Sequence, residues 1–370
     1  MPSFDAGAQP DRVRQLAEFL PECPPDGTST GRGQAANLDD VDPFEEKSLM
    51  STRPPFDAEL EAILLSYPLD QQELGWLGPH ELAAYRKMNT SAPDLAALER
   101  EGAVAISQRL IPGPEAGVEL PVVIMHPTRG AGPWPCVFHT HGGGMVSGDE
   151  WELADTLARW VDTVGLVVVA VGYRLAPEHP YPVPVEDSYA GLTWVAEHAH
   201  DLEVDPERLI VFGSSAGAGL AAALALLARD RGGPRIAHQI LQAPMLDDRS
   251  RTPSSTALHR EGFWDAGANI ASWTSYLGYA PGGPEVSPYA APARAEDLSG
   301  LPAAFIDVGQ VETFRDEALE YAMRLSAAGV PVELHMWPGA WHGFSTAAPQ
   351  AALSQLAAAA RIAYLQRVLG

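Results

Sequence analysis

The chain has 370 residues, 46% hydrophobic and 19% charged, with 34 Gly, 33 Pro and two Cys, which excludes disordered, collagen-like and disulfide-scaffold classes. Its 24 basic residues against 48 acidic ones leave a formal net charge of −24. That balance repels polyanions and no basic block offsets it, so no nucleic-acid partner is expected.

Met1 to Leu20 carries Asp5, Asp11, Arg12, Arg14 and Glu18 where a leader would have a basic end and an apolar stretch. No apolar run reaches the roughly 18 residues of a membrane span. The expectation is a cytoplasmic protein with no membrane partner. Residues 1–100 are acidic and broken by Pro21, Pro24, Pro25, Pro43, Pro54 and Pro55. They read as an N-terminal helical cap or appendage whose first 40 residues, poor in large apolar side chains, are expected to be poorly ordered. Helical spacing recurs at Leu60, Ile63, Leu64 and Leu65 after Asp57, and at Leu82, Ala83 and Tyr85 after Gly78-Pro79. Cys23 and Cys136 have neither metal nor disulfide spacing and read as small buried or half-buried fillers.

From residue 101 to 370, short β-branched runs alternate with helical patterns, which predicts an α/β domain with a mostly parallel sheet flanked by helices. The strand runs are Val122–Met125, Cys136–Thr140, Leu166–Val171, Leu209–Phe212, Ala237–Gln242, Ala303–Val308 and Val332–Met336. Helical patterns lie between them near 151–163, 185–200, 216–231, 316–328 and 349–368. An insertion at 247–300, rich in Pro, Gly and aromatic residues (Phe263, Trp264, Trp273, Tyr276, Tyr279), interrupts the alternation and belongs over the sheet's edge or over a pocket.

The chemistry concentrates in a few windows. An apolar strand runs into Gly213-Ser214-Ser215-Ala216-Gly217 and then an Ala/Leu-rich helix, the setting of a nucleophile elbow with Ser215 at its tip. Another strand runs into His141-Gly142-Gly143-Gly144-Met145, whose glycines leave backbone amides open to developing negative charge. A serine nucleophile needs a base. Of the later histidines, His238 and His335 lie within strand patterns and His259 in the insertion, whereas His342 follows the last strand in a loop that can reach the elbow. The acid stays open on these grounds among Asp307, Glu312, Asp316 and Glu317; Glu312 lies in the loop at a strand's C-terminal end.

Together, His141-Gly142-Gly143-Gly144, Tyr173-Arg-Leu-Ala-Pro-Glu-His-Pro-Tyr-Pro182, Gly213-Ser-Ser-Ala-Gly217 and Arg315-Asp316-Glu317 before His342-Gly343-Phe344 resemble the hormone-sensitive-lipase-like (family IV type) carboxylesterases of the α/β-hydrolase fold. The likeness spans about 105–370 in the same order, while the first 100 residues resemble the family's helical cap only in general. It implies oxyanion donation by the amides of Gly143, Gly144 and Ala216, with His141 shaping the loop, and a structural role for 173–182 through its prolines and an Arg/Glu pair. Many relatives read Gly-Asp-Ser-Ala-Gly, so Ser214 leaves one carboxylate missing near the elbow. The family's acid stands in Asp-Pro-Leu-Arg-Asp-Glu, and Glu312 occupies that Asp position.

The expected activity is hydrolysis of soluble short-chain or aromatic esters through an acyl-enzyme. A related amide, lactone or carbamate hydrolase, and a receptor without catalysis, are the alternatives. Met145, Phe263, Trp264 and Trp273 are candidates to line the substrate site or simply to pack the cap. The partner is a small-molecule ester. No cofactor or metal is expected, and the resemblance allows a homodimer.

Overall fold

A computed structural model describes residues 53–67, 79–90, 93–259 and 261–370; the expected disorder of the first 40 residues, and Cys23, lie outside this range. The described chain begins beside what becomes the site. Asp57 caps helix α1 (Ala58–Leu64) by accepting from the amides of Glu59 and Leu60. Leu60 and Leu64, one turn apart, bury with Ala340, Trp341 and Phe344, so α1 backs the loop that carries His342. Helices α2 (Pro79–Met88) and α3 (Leu95–Leu98) follow.

The remaining elements, in order, are β1 (Val104–Pro112), β2 (Glu119–Pro127), β3 (Trp134–Thr140), α4 (Ala154–Val164), β4 (Val167–Val171), α5 (Val183–Glu197), β5 (Val204–Ser214), α6 (Ala216–Arg231), β6 (His238–Gln242), α7 (Ala266–Leu277), β7 (Ala303–Gly309), α8 (Arg315–Ala327), β8 (Val332–Trp337), α9 (Phe344–Ala347) and α10 (Ala352–Leu369). They build one eight-stranded sheet in the order β1-β2-β4-β3-β5-β6-β7-β8. β1 and β2 pair antiparallel, as do β2 and β4, and the others run parallel.

All seven expected strands form. β1 is the addition, and its missing signal has a physical cause. It is an edge strand with only Val104 and Ile111 buried, so it lacks the continuous apolar run of a strand covered on both faces. The insertion at 247–300 likewise holds a helix that its Pro and Gly content hid, α7, which starts where Asp265 accepts from the Ala268 amide.

Two apolar clusters cover the two faces. One joins the sheet to α5, α6 and α8, and the other to α4 and α10. Helix α6 is buried over almost its whole length by Ala, Gly and Leu, which brings the helix following Ser215 close against the strands. Cys136 is fully buried in the first cluster, as expected of a filler. In the parallel registers Thr140 faces Gly213, Ser214 faces Gln242, and Gly309 faces Trp337. The loops after β3, β5, β7 and β8 therefore emerge at one edge, where open α/β sheets place their functional groups.

Candidate active site

Ser215 sits between β5 and α6 with φ 54 and ψ −117, a conformation costly for a residue with a Cβ. Its amide donates to the Gln242 carbonyl at 2.8 Å, and its own carbonyl accepts from the Met245 amide at 3.1 Å, so the β6 segment holds the turn in place. The flanking glycines are required by space. A Cβ on Gly217 would lie 2.0 Å from the Thr140 carbonyl oxygen, and one on Gly213 2.1 Å from that of Gly217. The chain thus turns sharply enough to present Ser215 at the head of α6.

His342 reaches the elbow from the loop after β8. Its Nε2 is 3.0 Å from Ser215 Oγ and its Nδ1 is 3.3 Å from Glu312 Oε2. The Glu312 side chain is 1% exposed and that of His342 is 11% exposed. Phe314 meets the imidazole edge-on at 5.2 Å and Trp264 lies 6.0 Å away, which fixes the ring and keeps bulk water from most of it. The competing acids are engaged elsewhere. Asp307 pairs with Arg361 at 2.6 Å and accepts from Trp337 Nε1. Asp316 bonds Arg315 and the Ser254 amide. Burial raises the Asp316 pKa, but these bonds outweigh it and leave the carboxyl below its ordinary value. Glu317 accepts from the Leu246 amide, and burial drives its pKa well above the ordinary carboxylic value. The other histidines stay off the site: His238 bonds Tyr364, His335 bonds Glu333, and His259 is exposed.

After β3, Gly143 and Gly144 have φ 103 and 64, a left-handed run that glycine adopts without strain. Among the described residues no acceptor takes the amide hydrogens of Gly143, Gly144 or Ala216. His141 stacks on Tyr173 with ring centroids 4.0 Å apart, and its Nδ1 is 2.8 Å from the Gly142 carbonyl. Burial pulls its pKa from 6.5 to about 4, so the ring is neutral and supports the loop's shape.

Two details of the sequence reading are corrected. A carboxylate does stand at the elbow despite Ser214. It comes from Glu152, just before α4, whose Oε1 accepts from Ser214 Oγ at 3.0 Å and whose Oε2 accepts from the Gly142 amide at 3.0 Å. Its only sequence trace is the Ser at 214, because Asp149, Glu150 and Glu152 look like an exposed acidic turn. In the 173–182 segment, Arg174 and Glu178 do not pair with each other. Arg174 holds Asp187 at 2.7 Å, and Glu178 is held by Arg86 of α2, which keeps its carboxyl down at about 2. Arg86 also donates to the carbonyls of Val146 and Ala176, so α2 is fastened to the glycine loop, a link with no sequence signature.

Of the candidate lining residues, Trp264 is at the site. A Cβ on Gly144 would fall 2.6 Å from its ring, and the Trp264 carbonyl accepts from Thr313 beside Glu312. Phe263 stacks on Trp341 and meets Tyr67 edge-on, one residue from His342. Met145 is 1% exposed within the main core, its carbonyl accepting from Ala176, and Trp273 is fully buried in the same cluster. Among the described residues there is no group of three His, Cys, Asp or Glu able to hold a metal ion, and no helix long and apolar enough to cross a membrane.

Comparison with known proteins gives the same outline. The alpha/beta hydrolase fold family matches residues 137–346. Esterase LipI of Mycobacterium tuberculosis is 37% identical over 262 residues, covering 66% of this chain and 82% of that protein. Carboxylesterase NlhH of the same species is 35% identical over 300 residues, covering 79% and 89%. Among solved structures, a bacterial heroin esterase is similar with a TM-score of 0.77 at 37% identity, over 86% of this chain and all of that one.

Proposed function

This chain belongs to the alpha/beta-hydrolase fold family, among its hormone-sensitive-lipase-like carboxylesterases, and we propose that it hydrolyses soluble short-chain or aromatic esters through an acyl-enzyme on Ser215. The observation that carries this reading is the 3.0 Å contact of Ser215 Oγ with His342 Nε2, at a strained elbow and with Glu312 behind the imidazole.

In the proposed reaction His342 Nε2 takes the Ser215 hydroxyl proton as Oγ bonds the ester carbonyl carbon. The carbonyl π electrons move to its oxygen, which the amides of Gly143, Gly144 and Ala216 bind. The tetrahedral intermediate collapses and breaks the bond to the alcohol oxygen, which receives the proton from Nε2. Water then adds to the acyl-enzyme, giving its proton to His342, and the second collapse returns that proton to Ser215 as the carboxylic acid leaves. Glu312 holds the Nδ1–H tautomer and stabilises the imidazolium that forms twice in each turnover.

Trp264 against Gly144 supports the preference for compact or flat acyl groups, since it leaves little room beside the amides. The net charge of −24 weighs against the adsorption to anionic lipid surfaces that an interfacial lipase needs. The N-terminal helical segments are proposed as a cap: α1 backs the His342 loop, and α2 is tied to the glycine loop.

The test is a panel of p-nitrophenyl esters of increasing acyl length, phenyl esters, and matched amide, lactone and carbamate substrates. Short-chain and aromatic esters should be turned over fastest, and Ser215→Ala should lose at least about a thousandfold in kcat. Unchanged turnover by Ser215→Ala would remove the mechanism, and a preference for long acyl chains would remove the substrate class.

A further inference from the structure

We infer that Glu152 is a positioning residue for the oxyanion hole, its carboxylate fastening the loop of Gly143 and Gly144 to the elbow of Ser215. The inference rests on the esterase reading above and deepens it. A hole assembled from the amides of Gly143, Gly144 and Ala216 takes its donors from two chain segments, so its geometry depends on what sets the distance between them. The backbone register of β3 and β5 ends at Thr140 and Gly213. Beyond that point the Thr140 hydroxyl donates to the Gly217 carbonyl at 2.8 Å, and Glu152 bridges the rest. One oxygen takes the amide of Gly142, the residue before Gly143; the other takes the hydroxyl of Ser214, the residue before Ser215. Each bond is 3.0 Å, and His139 Nε2 at the end of β3 lies 3.3 Å from Oε2.

The carboxylate is held in its charged form. Burial raises its pKa, but the neighbouring His139 imidazole and the Gly142 amide outweigh that and leave it below the ordinary value. Charge-assisted bonds of this kind are stronger than neutral ones, which suits a tie that must keep amides in place to within an ångström. Nearby chemistry separates Glu152 from the reacting atoms: Ser214, not Ser215, is its partner.

The Ser at position 214 makes the idea testable by moving the carboxylate. Ser214→Asp would place a carboxylate about where Ser214 Oγ now sits, 3.0 Å from Glu152 Oε1, so with Glu152 retained the two anions would repel. With Glu152 shortened, the same Asp is free to take the Gly142 amide. The experiment compares Glu152→Ala, Ser214→Asp and the double variant on a short-chain p-nitrophenyl ester, alongside Ser215→Ala. Glu152→Ala should lower kcat about 10- to 100-fold with KM within about threefold, and the affinity of a trifluoromethyl ketone transition-state analogue should fall in parallel with kcat/KM. Ser214→Asp alone should also lower kcat, while the double variant should recover at least about fivefold over Glu152→Ala, a non-additivity that loss of packing does not produce.

Glu152→Gln keeps the shape and can still accept from Gly142, so it serves as a second background if Glu152→Ala does not melt cooperatively. In that background Ser214→Asp should do less harm than in the parent. A kcat for folded Glu152→Ala within about twofold of the parent, or equal harm from Ser214→Asp in all backgrounds, overturns the inference. An active Ser215→Ala would instead overturn the esterase reading itself.

Discussion

Replacing His141 by Asn should flatten the acid side of the stability profile. In the parent the ring is 1% exposed, and burial lowers its pKa from 6.5 to about 4; the Gly142 carbonyl, Glu152 and Asp149 oppose that fall, while His139 adds to it. The imidazole is neutral in the folded chain throughout the window between these two values, whereas in the unfolded chain it binds a proton as pH drops through 6.5. The unfolded state therefore holds more protons there, so this contribution is complete above 6.5 and is lost as pH falls toward 4. Integrated between about pH 7 and about pH 4.5, a single group with this shift removes roughly 2 kcal/mol. Asn keeps a nitrogen donor near the position of Nδ1 and so preserves the bond to Gly142, at the cost of the Tyr173 stack. Urea unfolding of parent and variant at the two pH values measures the difference. The variant should start less stable near neutrality and lose roughly 2 kcal/mol less than the parent on acidification. An identical acid loss in both would refute the assignment of His141 as a ring held neutral by burial.

The choice of acid is decided by Glu312→Gln and Asp316→Asn: the first should cut kcat by about a thousandfold and the second by less than about tenfold, read on one p-nitrophenyl ester. Gly217→Ala forces a Cβ to within 2.0 Å of the Thr140 carbonyl, so it should displace the glycine loop and cost at least about a hundredfold in kcat/KM. Asp307→Asn should leave the buried Arg361 partly unpaired and lower stability by about 3 kcal/mol in urea unfolding, while kcat of the folded fraction stays near the parent's.

Residues differ in how much of this arrangement could be read from sequence. The central strands were legible because parallel strands covered on both faces need unbroken apolar runs, as in Val167–Val171, all five of which are buried. β1 was not, since an edge strand with two buried residues carries no such run. Ser215 and the glycines after β3 were legible because the turn geometry itself demands small residues at fixed spacing. The choice among acids was not legible from spacing alone. Asp307, Glu312 and Asp316 lie within ten positions of one another, and only the loop path brings Glu312 rather than its neighbours to His342. Glu152 was invisible for the same reason, being placed by the fold of a ten-residue excursion from Gly142 and not by any periodicity. Trp264 was singled out as an aromatic residue, but its place beside His342 depends on how α7 folds the insertion back over the sheet.

The most direct test of the central claim is intact-mass and peptide mapping after treatment with a serine-reactive fluorophosphonate, run beside an assay of residual esterase turnover. The account predicts one adduct, on the peptide containing Ser215, with activity falling in step with labelling, and no adduct in Ser215→Ala or His342→Ala over the same interval. Full labelling without loss of turnover, or turnover lost while Ser215 stays unmodified, would contradict it.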